Sequence, residues 1–151
     1  MFRMLNPVLS GRPLAVLGAA PSGSWIAVTS RSVAPQPHVV ESEASVEAVA
    51  EALFEVVPVS DRSTVPLVGW LADASDDESL DAFFAFQGSA RDAERRALEM
   101  GRLVELPEDP WSGVSAVITV PSEADFAFFV CIGEGEHIPA PLFRRAHELA
   151  A

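Results

Sequence analysis

Lysine and tyrosine are absent from this chain, and cysteine and histidine are scarce. All ten basic side chains are arginine, Cys131 is the one cysteine, and the imidazoles are His38, His137 and His147. A single cysteine excludes an internal disulfide framework and any zinc site built on several thiolates. Cys131 lies in an apolar run, so it is expected to be a buried structural thiol, and a cytoplasmic location fits it. None of the three histidines belongs to a recognisable nucleophile motif, so no catalytic triad is legible and the chain is not expected to be an enzyme. No apolar run approaches the roughly 18 residues a membrane-spanning helix needs, and no membrane association is expected. Glycine-rich phosphate loops and dinucleotide fingerprints are missing as well, so no cofactor is expected.

Positive charge is the next shortage. Against the ten arginines stand 22 acidic residues, for a formal net charge of −12. Such a surface repels phosphate backbones, which disfavours nucleic acid as a partner. It would instead steer a protein with a basic surface towards it.

What is present is core-forming sequence. With 49% hydrophobic residues in 151 and a mean hydropathy of +0.24, one domain can bury about two-thirds of its extended surface. Residues 1–13, with Pro7, Gly11 and Pro13, read as an N-terminal arm, and 14–151 as a single domain. Arg3 and Arg12 ahead of the apolar 14–20 loosely imitate a secretion signal. That run is short and interrupted by Gly18, so it reads as a strand. Pro21-Ser22-Gly23-Ser24 then turns the chain into a second strand at 25–29. Residues 18–22 superficially resemble the first hairpin of RNase H-like and actin-like folds. Ala19 and Ala20 stand where those folds need a metal-holding acid, so the resemblance carries no activity.

The clearest periodicity spans 43–57. Val46, Val49, Ala50, Leu53, Phe54 and Val57 fall on one helical face. Glu43, Glu47, Glu51 and Glu55 recur every four residues on another face, a mildly self-repulsive ladder. Pro58 stops the helix, and 64–71 reads as a strand carrying Trp70. The polar stretch 73–79, with Asp73, Asp76, Asp77 and Glu78, reads as an acidic turn; it lacks the spacing and flanking helices of a calcium-binding loop. Residues 80–86 fit neither period cleanly. Their likeness to 125–130, which also follows an acidic turn, favours a strand. A helix then runs from Ser89 to about 103, with Ala90, Ala93, Ala97 and Met100 inward and mixed charges outward.

Beyond the Pro-bounded loop 105–110 and Trp111, the last forty residues give a strand (114–120), a turn (121–125), a strand (126–132) and a helix (141–150). Three strand–strand–helix units emerge, at 14–57, 64–104 and 112–151. The expected fold class is α+β: a two-layer domain with a mostly antiparallel sheet of about six strands and three helices.

Glu134, Glu136 and His137 offer two carboxylates and an imidazole to a metal, but with no zinc-motif spacing. The functional expectation is therefore a non-enzymatic, acidic protein-binding module, similar in composition to immunity proteins and secretion chaperones. Its candidate contact residues are Glu43, Glu47, Glu51, Glu55, Trp70, Asp76, Asp77, Glu78 and Trp111. A homodimer is expected from the phenylalanine-rich strands, which are apolar on both faces. The alternatives are a structural or assembly subunit, such as a phage component, and a metal-dependent hydrolase using Glu134, Glu136 and His137.

Overall fold

The computed structural model describes residues 12–21, 23–60, 65–106 and 108–133. Within them, β1 (Trp25–Thr29), β2 (Val39–Glu41), β3 (Leu67–Leu71), β4 (Gly101–Leu103), β5 (Ala116–Thr119) and β6 (Phe126–Cys131) join in one sheet. The strand order is β2-β5-β1-β6-β3-β4. Three described helices accompany it: α1 (Arg12–Ala19), α2 (Val46–Val56) and α3 (Asp77–Glu94). This is the α+β class that the sequence indicates.

The sheet is mixed rather than mostly antiparallel. β5 runs parallel to both β1 and β2, and β3 runs parallel to β4, whereas β6 is antiparallel to β1 and β3. The cause lies in β1, which inserts between β5 and β6, so the two strands joined by the 121–125 turn are not hydrogen-bonded neighbours. Ile26 is level with Ala116 of β5 on one side and Val130 of β6 on the other. The strands alternate between two cores, as the two-residue period requires. Ile26, Val28, Val40, Leu67, Leu71, Ile118, Phe126, Phe128 and Val130 face the helices. Trp25, Ala27, Val39, Val68, Val117, Ala127, Phe129 and Cys131 face the other way, under Val114, Leu106 and Trp111. Both faces of β6 are therefore fully buried, which explains its uninterrupted apolar sequence.

α2 forms as its periodicity dictates. Val46, Val49, Ala50, Leu53 and Phe54 are buried, and the side chain of Ser45 caps the helix by accepting from the Ala48 N–H at 3.2 Å. The helix starts later than the spacing suggests, which leaves Glu43 ahead of it.

Two elements differ from expectation. The strand at 80–86 and the helix from Ser89 are parts of one helix, α3. Asp76 caps it, accepting from the Ser79 N–H at 3.0 Å and from the Ser79 hydroxyl at 2.8 Å. Asp77 and Glu78 sit in its first turn, where the helix dipole favours acids. Ser79, Ala82, Phe83, Phe86 and Ala90 form its buried stripe, and Phe84 is turned to solvent at 57% exposure. Arg95, at φ 55°, ends it in the left-handed conformation. Leu98 and Met100, beyond that end, are buried on the way into β4. The second difference is α1, which occupies the run read as a strand and buries Leu17 in the helix-side core. A short apolar run of alanine and leucine carries no decisive period, and these are good helix formers.

These differences also dissolve the common order of the three units. The first contains α1-β1-β2-α2, the second β3-α3-β4, and the third β5-β6 among the described residues. The helix at 141–150 and most of the N-terminal arm lie outside the described residues. No described helix is long and apolar enough to cross a membrane.

Candidate functional site

Parallel pairing brings the carboxyl ends of β1, β5 and β2 to one edge of the sheet, and a cleft opens there. In open sheets with parallel strands this is the position where ligands bind, because the chain leaves each strand on a different course. Ser30, Arg31, Ser32 and Val33 follow β1; Glu41 ends β2 and is followed by Ser42 and Glu43; Thr119 ends β5 and leads into Val120 and Pro121. The cleft has a volume of about 500 Å³, within the range of small-molecule sites.

The backbone around it is satisfied and fixed. The Ser42 N–H donates to the Thr119 carbonyl at 2.8 Å, and the Val120 N–H to the Thr29 carbonyl at 2.9 Å. Thr29, fully buried, donates its hydroxyl to the Phe126 carbonyl at 2.7 Å and accepts the Arg31 N–H at 3.0 Å. Ser30 Oγ accepts the Phe126 N–H at 3.0 Å. Ser42 Oγ accepts the Ala44 N–H at 3.1 Å. These contacts stiffen the loops that carry the lining side chains.

Arg31 is the best-held of those side chains. Its Nε and Nη2 donate to the two carboxylate oxygens of Asp125 at 2.9 and 3.1 Å. Its guanidinium carbon lies 4.6 Å from the centre of the Trp70 ring. A two-point clamp and an aromatic face together define the plane of the guanidinium. Nη1 makes no hydrogen bond among the described residues. Glu41 and Glu43, both exposed, have no ion-pair partner among the described residues. The cleft thus offers two carboxylate acceptors, an oriented N–H donor and hydroxyls, with Val33, Val120 and Pro121 as apolar wall.

Of the contact residues named from the sequence, Glu43 alone lines this cleft. Glu47, Glu51 and Glu55 are exposed on α2. Trp70 sits behind the cleft rim, half-buried in the second core and under Arg31. Trp111 is in the same core, stacked on Phe129 with ring centres 6.1 Å apart, and its carbonyl lies 3.3 Å from His38 Nε2. Asp76 caps α3 and Asp77 follows it in the first turn. Glu78 ties α3 to the β5–β6 connection, accepting the Ala124 N–H at 3.0 Å and the Ser122 hydroxyl at 3.2 Å. The Ser75 hydroxyl, and then its N–H, hold the nearby Asp73 carboxyl below its ordinary range. Glu134, Glu136 and His137 lie outside the described residues. Missed from the sequence were Ser30, Arg31, Ser32, Glu41, Ser42 and Thr119, which meet only through pairing between distant strands.

Solved structures that share this fold include the following three. The FucU protein of Bifidobacterium longum superposes with a TM-score of 0.69 at 13% identity, over 87% of this chain and 98% of its own. The protein Atu2016, provisionally described as sugar-binding, gives 0.65 at 17% identity, over 92% and 97%. The fucose mutarotase of Streptococcus pneumoniae, solved with L-fucose, gives 0.59 at 11% identity, over 89% and 99%. No protein-family model matches the chain, and no curated protein matches it in sequence. At these identities the likeness establishes the fold.

That fold overturns the functional expectation. An acidic module of the immunity or chaperone kind was inferred from composition, and composition is set by surface residues that do not determine architecture. The architecture is shared with a protein provisionally described as sugar-binding and with a mutarotase, which is an enzyme. The missing catalytic motif therefore no longer argues against catalysis.

Proposed function

We propose that this protein handles a free monosaccharide in the β1–β5–β2 cleft and interconverts its anomers. The observation that carries the reading is the lining: Glu41 and Glu43, carboxylates with no ion-pair partner among the described residues, share a cavity of about 500 Å³ with the Arg31 guanidinium. Sugars are bound through hydroxyls that need both acceptors and donors, and this lining supplies both. The fold shared with a fucose mutarotase and with a protein provisionally described as sugar-binding supports it.

Anomer exchange needs one proton removed and one delivered, with no net change in atoms or electrons. A base takes the proton of the anomeric hydroxyl while an acid protonates the ring oxygen. The bond from the anomeric carbon to the ring oxygen then breaks, giving the open-chain aldehyde. Rotation about the adjacent carbon–carbon bond and reversal of the same steps closes the other anomer. Of Glu41 and Glu43, one carboxylate is the candidate base, and a water molecule bound by the other delivers the proton to the ring oxygen. The N–H bonds of Arg31 not used by Asp125 would donate to a sugar oxygen during the opening. A reducing cytoplasm suits the buried free thiol of Cys131.

The test is two-dimensional exchange NMR on equilibrated L-fucose and a panel of free hexoses and pentoses. Added protein should accelerate exchange between the anomers, and the Glu41→Gln/Glu43→Gln double variant should lose about 100-fold or more of that acceleration, the scale of general acid–base assistance. No acceleration with any sugar, at protein concentrations that saturate binding, would refute catalysis. Absence of saturation transfer from protein to every sugar would refute the site.

A further inference from the structure

We infer that Asp125 sets the charge selectivity of the cleft: by occupying Arg31, it makes the site accept neutral and, preferentially, amino sugars while rejecting phosphorylated and carboxylated ones. This rests on the monosaccharide reading above and names its substrate class.

Among the described residues, Arg31 is the only cation in the lining. An exposed arginine in a polar cleft is ordinarily a phosphate or carboxylate receptor, because its fork of N–H groups matches two oxygens at once. Here one such fork is already engaged, and by a carboxylate that balances the charge. Nε and Nη2 are both directed at Asp125, at 2.9 and 3.1 Å, and Trp70 at 4.6 Å blocks the guanidinium from swinging to another orientation. Both N–H bonds of Nη1 and the second of Nη2 make no hydrogen bond among the described residues and can donate to sugar hydroxyls, but the positive charge that would hold an anion is already balanced by Asp125.

The carboxylates complete the selection. The Arg31–Asp125 pair is neutral as a unit, so the field in the cleft is set by Glu41 and Glu43, neither of which has a cationic partner among the described residues. Both flank the Ser42 N–H that is tied to the Thr119 carbonyl, so they are held at the cleft by the β2–β5 pairing. The whole chain, at −12, deepens the same negative potential. An anionic sugar meets two like charges and a guanidinium whose charge Asp125 already balances. An ammonium group on the sugar ring meets two acceptors of opposite charge.

Calorimetric titration with charge-matched ligands tests this: methyl α-L-fucoside as the neutral probe, 2-amino-2-deoxy-L-fucose as the cation, and L-fucose 1-phosphate and inorganic phosphate as anions. The wild-type protein should bind the amino sugar about ten-fold more tightly than the neutral one and the sugar phosphate about ten-fold more weakly, the size expected of a few ångström-range charge contacts near a surface. Both gaps should shrink as salt is raised from about 20 to about 500 mM. Asp125→Asn should unmask Arg31 and raise affinity for L-fucose 1-phosphate and inorganic phosphate by about ten-fold. Asp125→Glu should restore the rejection, an outcome that a merely structural role would not produce. Glu41→Gln/Glu43→Gln should abolish the preference for the amino sugar independently of Asp125. Equal binding of neutral and phosphorylated sugar by the wild type, or no gain of anion binding in a folded Asp125→Asn, overturns the inference while leaving the sugar site intact. Failure of all three sugars to bind overturns the monosaccharide reading itself, and the inference with it.

Discussion

Gly69 of β3 lies directly under Phe83 of α3, with no room for a side chain between them. A methyl group on Gly69 would come within 2.8 Å of the Phe83 ring and 2.8 Å of the Met100 terminal methyl. Met100 can move, because its terminal carbon is the end of a flexible chain. Phe83 is held by edge contacts to Phe84 and Phe128, at 5.4 and 6.1 Å between ring centres. Gly69→Ala should therefore cost about 1–3 kcal/mol, the range for overfilling a packed core. A urea denaturation curve measures it, and an unchanged midpoint would show that α3 rides higher over the sheet.

Gly88 should respond with the opposite sign. It lies inside α3, where a Cβ would meet nothing within 4 Å. Glycine in a helix interior costs roughly 0.5–1 kcal/mol relative to alanine through backbone entropy. Gly88→Ala should raise the urea midpoint by the corresponding amount, with no change in slope.

Glu78 links the start of α3 to the connection between β5 and β6. Its Oε2 accepts from both the Ala124 N–H and the Ser122 hydroxyl. Glu78→Ala removes both contacts but leaves the Ala124 N–H its second acceptor, Ser122 Oγ at 3.1 Å, so it should destabilise by only about 0.5–1 kcal/mol. Glu78→Gln, which keeps an acceptor oxygen, should recover most of the loss in the same denaturation assay.

How far these elements were legible depends on the kind of signal each residue carries. α2 could be read from sequence because six apolar residues repeat the helical period without interruption. α3 could not, because Phe84 points outwards next to Phe83 and breaks the period by eye, while 81–86 imitates 125–130, a true strand. The decisive signal was local and present: Asp76 three residues before Ser79, followed by two acids in the first turn, is an N-terminal cap and not a surface turn. β1, β3, β5 and β6 were each visible as β-rich runs. Their order was not, since nothing local says that β1 should part β5 from β6. The cleft shares that limit. Arg31, Glu41 and Thr119 are brought together by parallel pairing, and only Glu43 had drawn notice, for its place in a ladder it does not join.

Cys131 gives a pH dependence with a defined sign. Burial pushes its thiol above its ordinary value near 9, and its Sγ lies 3.7 Å from the Gly23 carbonyl. At alkaline pH the unfolded chain releases this proton while the folded one keeps it, so the unfolded state binds fewer protons and stability falls as pH rises. The contribution is intact below about pH 9 and is lost progressively above it. Thermal melts at a series of alkaline pH values should show a steeper decline for the wild type than for Cys131→Val. A thiol reagent should label the native protein only as fast as it opens.

Trp70 should report occupancy of the cleft. Its ring carries the Arg31 guanidinium at 4.6 Å, and a positive charge that close perturbs indole emission. A sugar that draws on Arg31 Nη1 changes the charge distribution above the ring without touching it. Trp25 is buried at 1% exposure in the second core, and Trp111 is stacked on Phe129 on the same side, so neither adjoins the ligand. Sugar binding should therefore alter tryptophan emission in the wild type and in Trp111→Phe, but not in Trp70→Phe, with all three proteins binding by calorimetry. A response that survives in Trp70→Phe would place the ligand against the second core, away from Arg31. A response that vanishes with Trp70 and also with Arg31→Gln, while fold and thermal midpoint are retained, would tie the signal to the guanidinium and fix the ligand at the carboxyl ends of β1, β5 and β2.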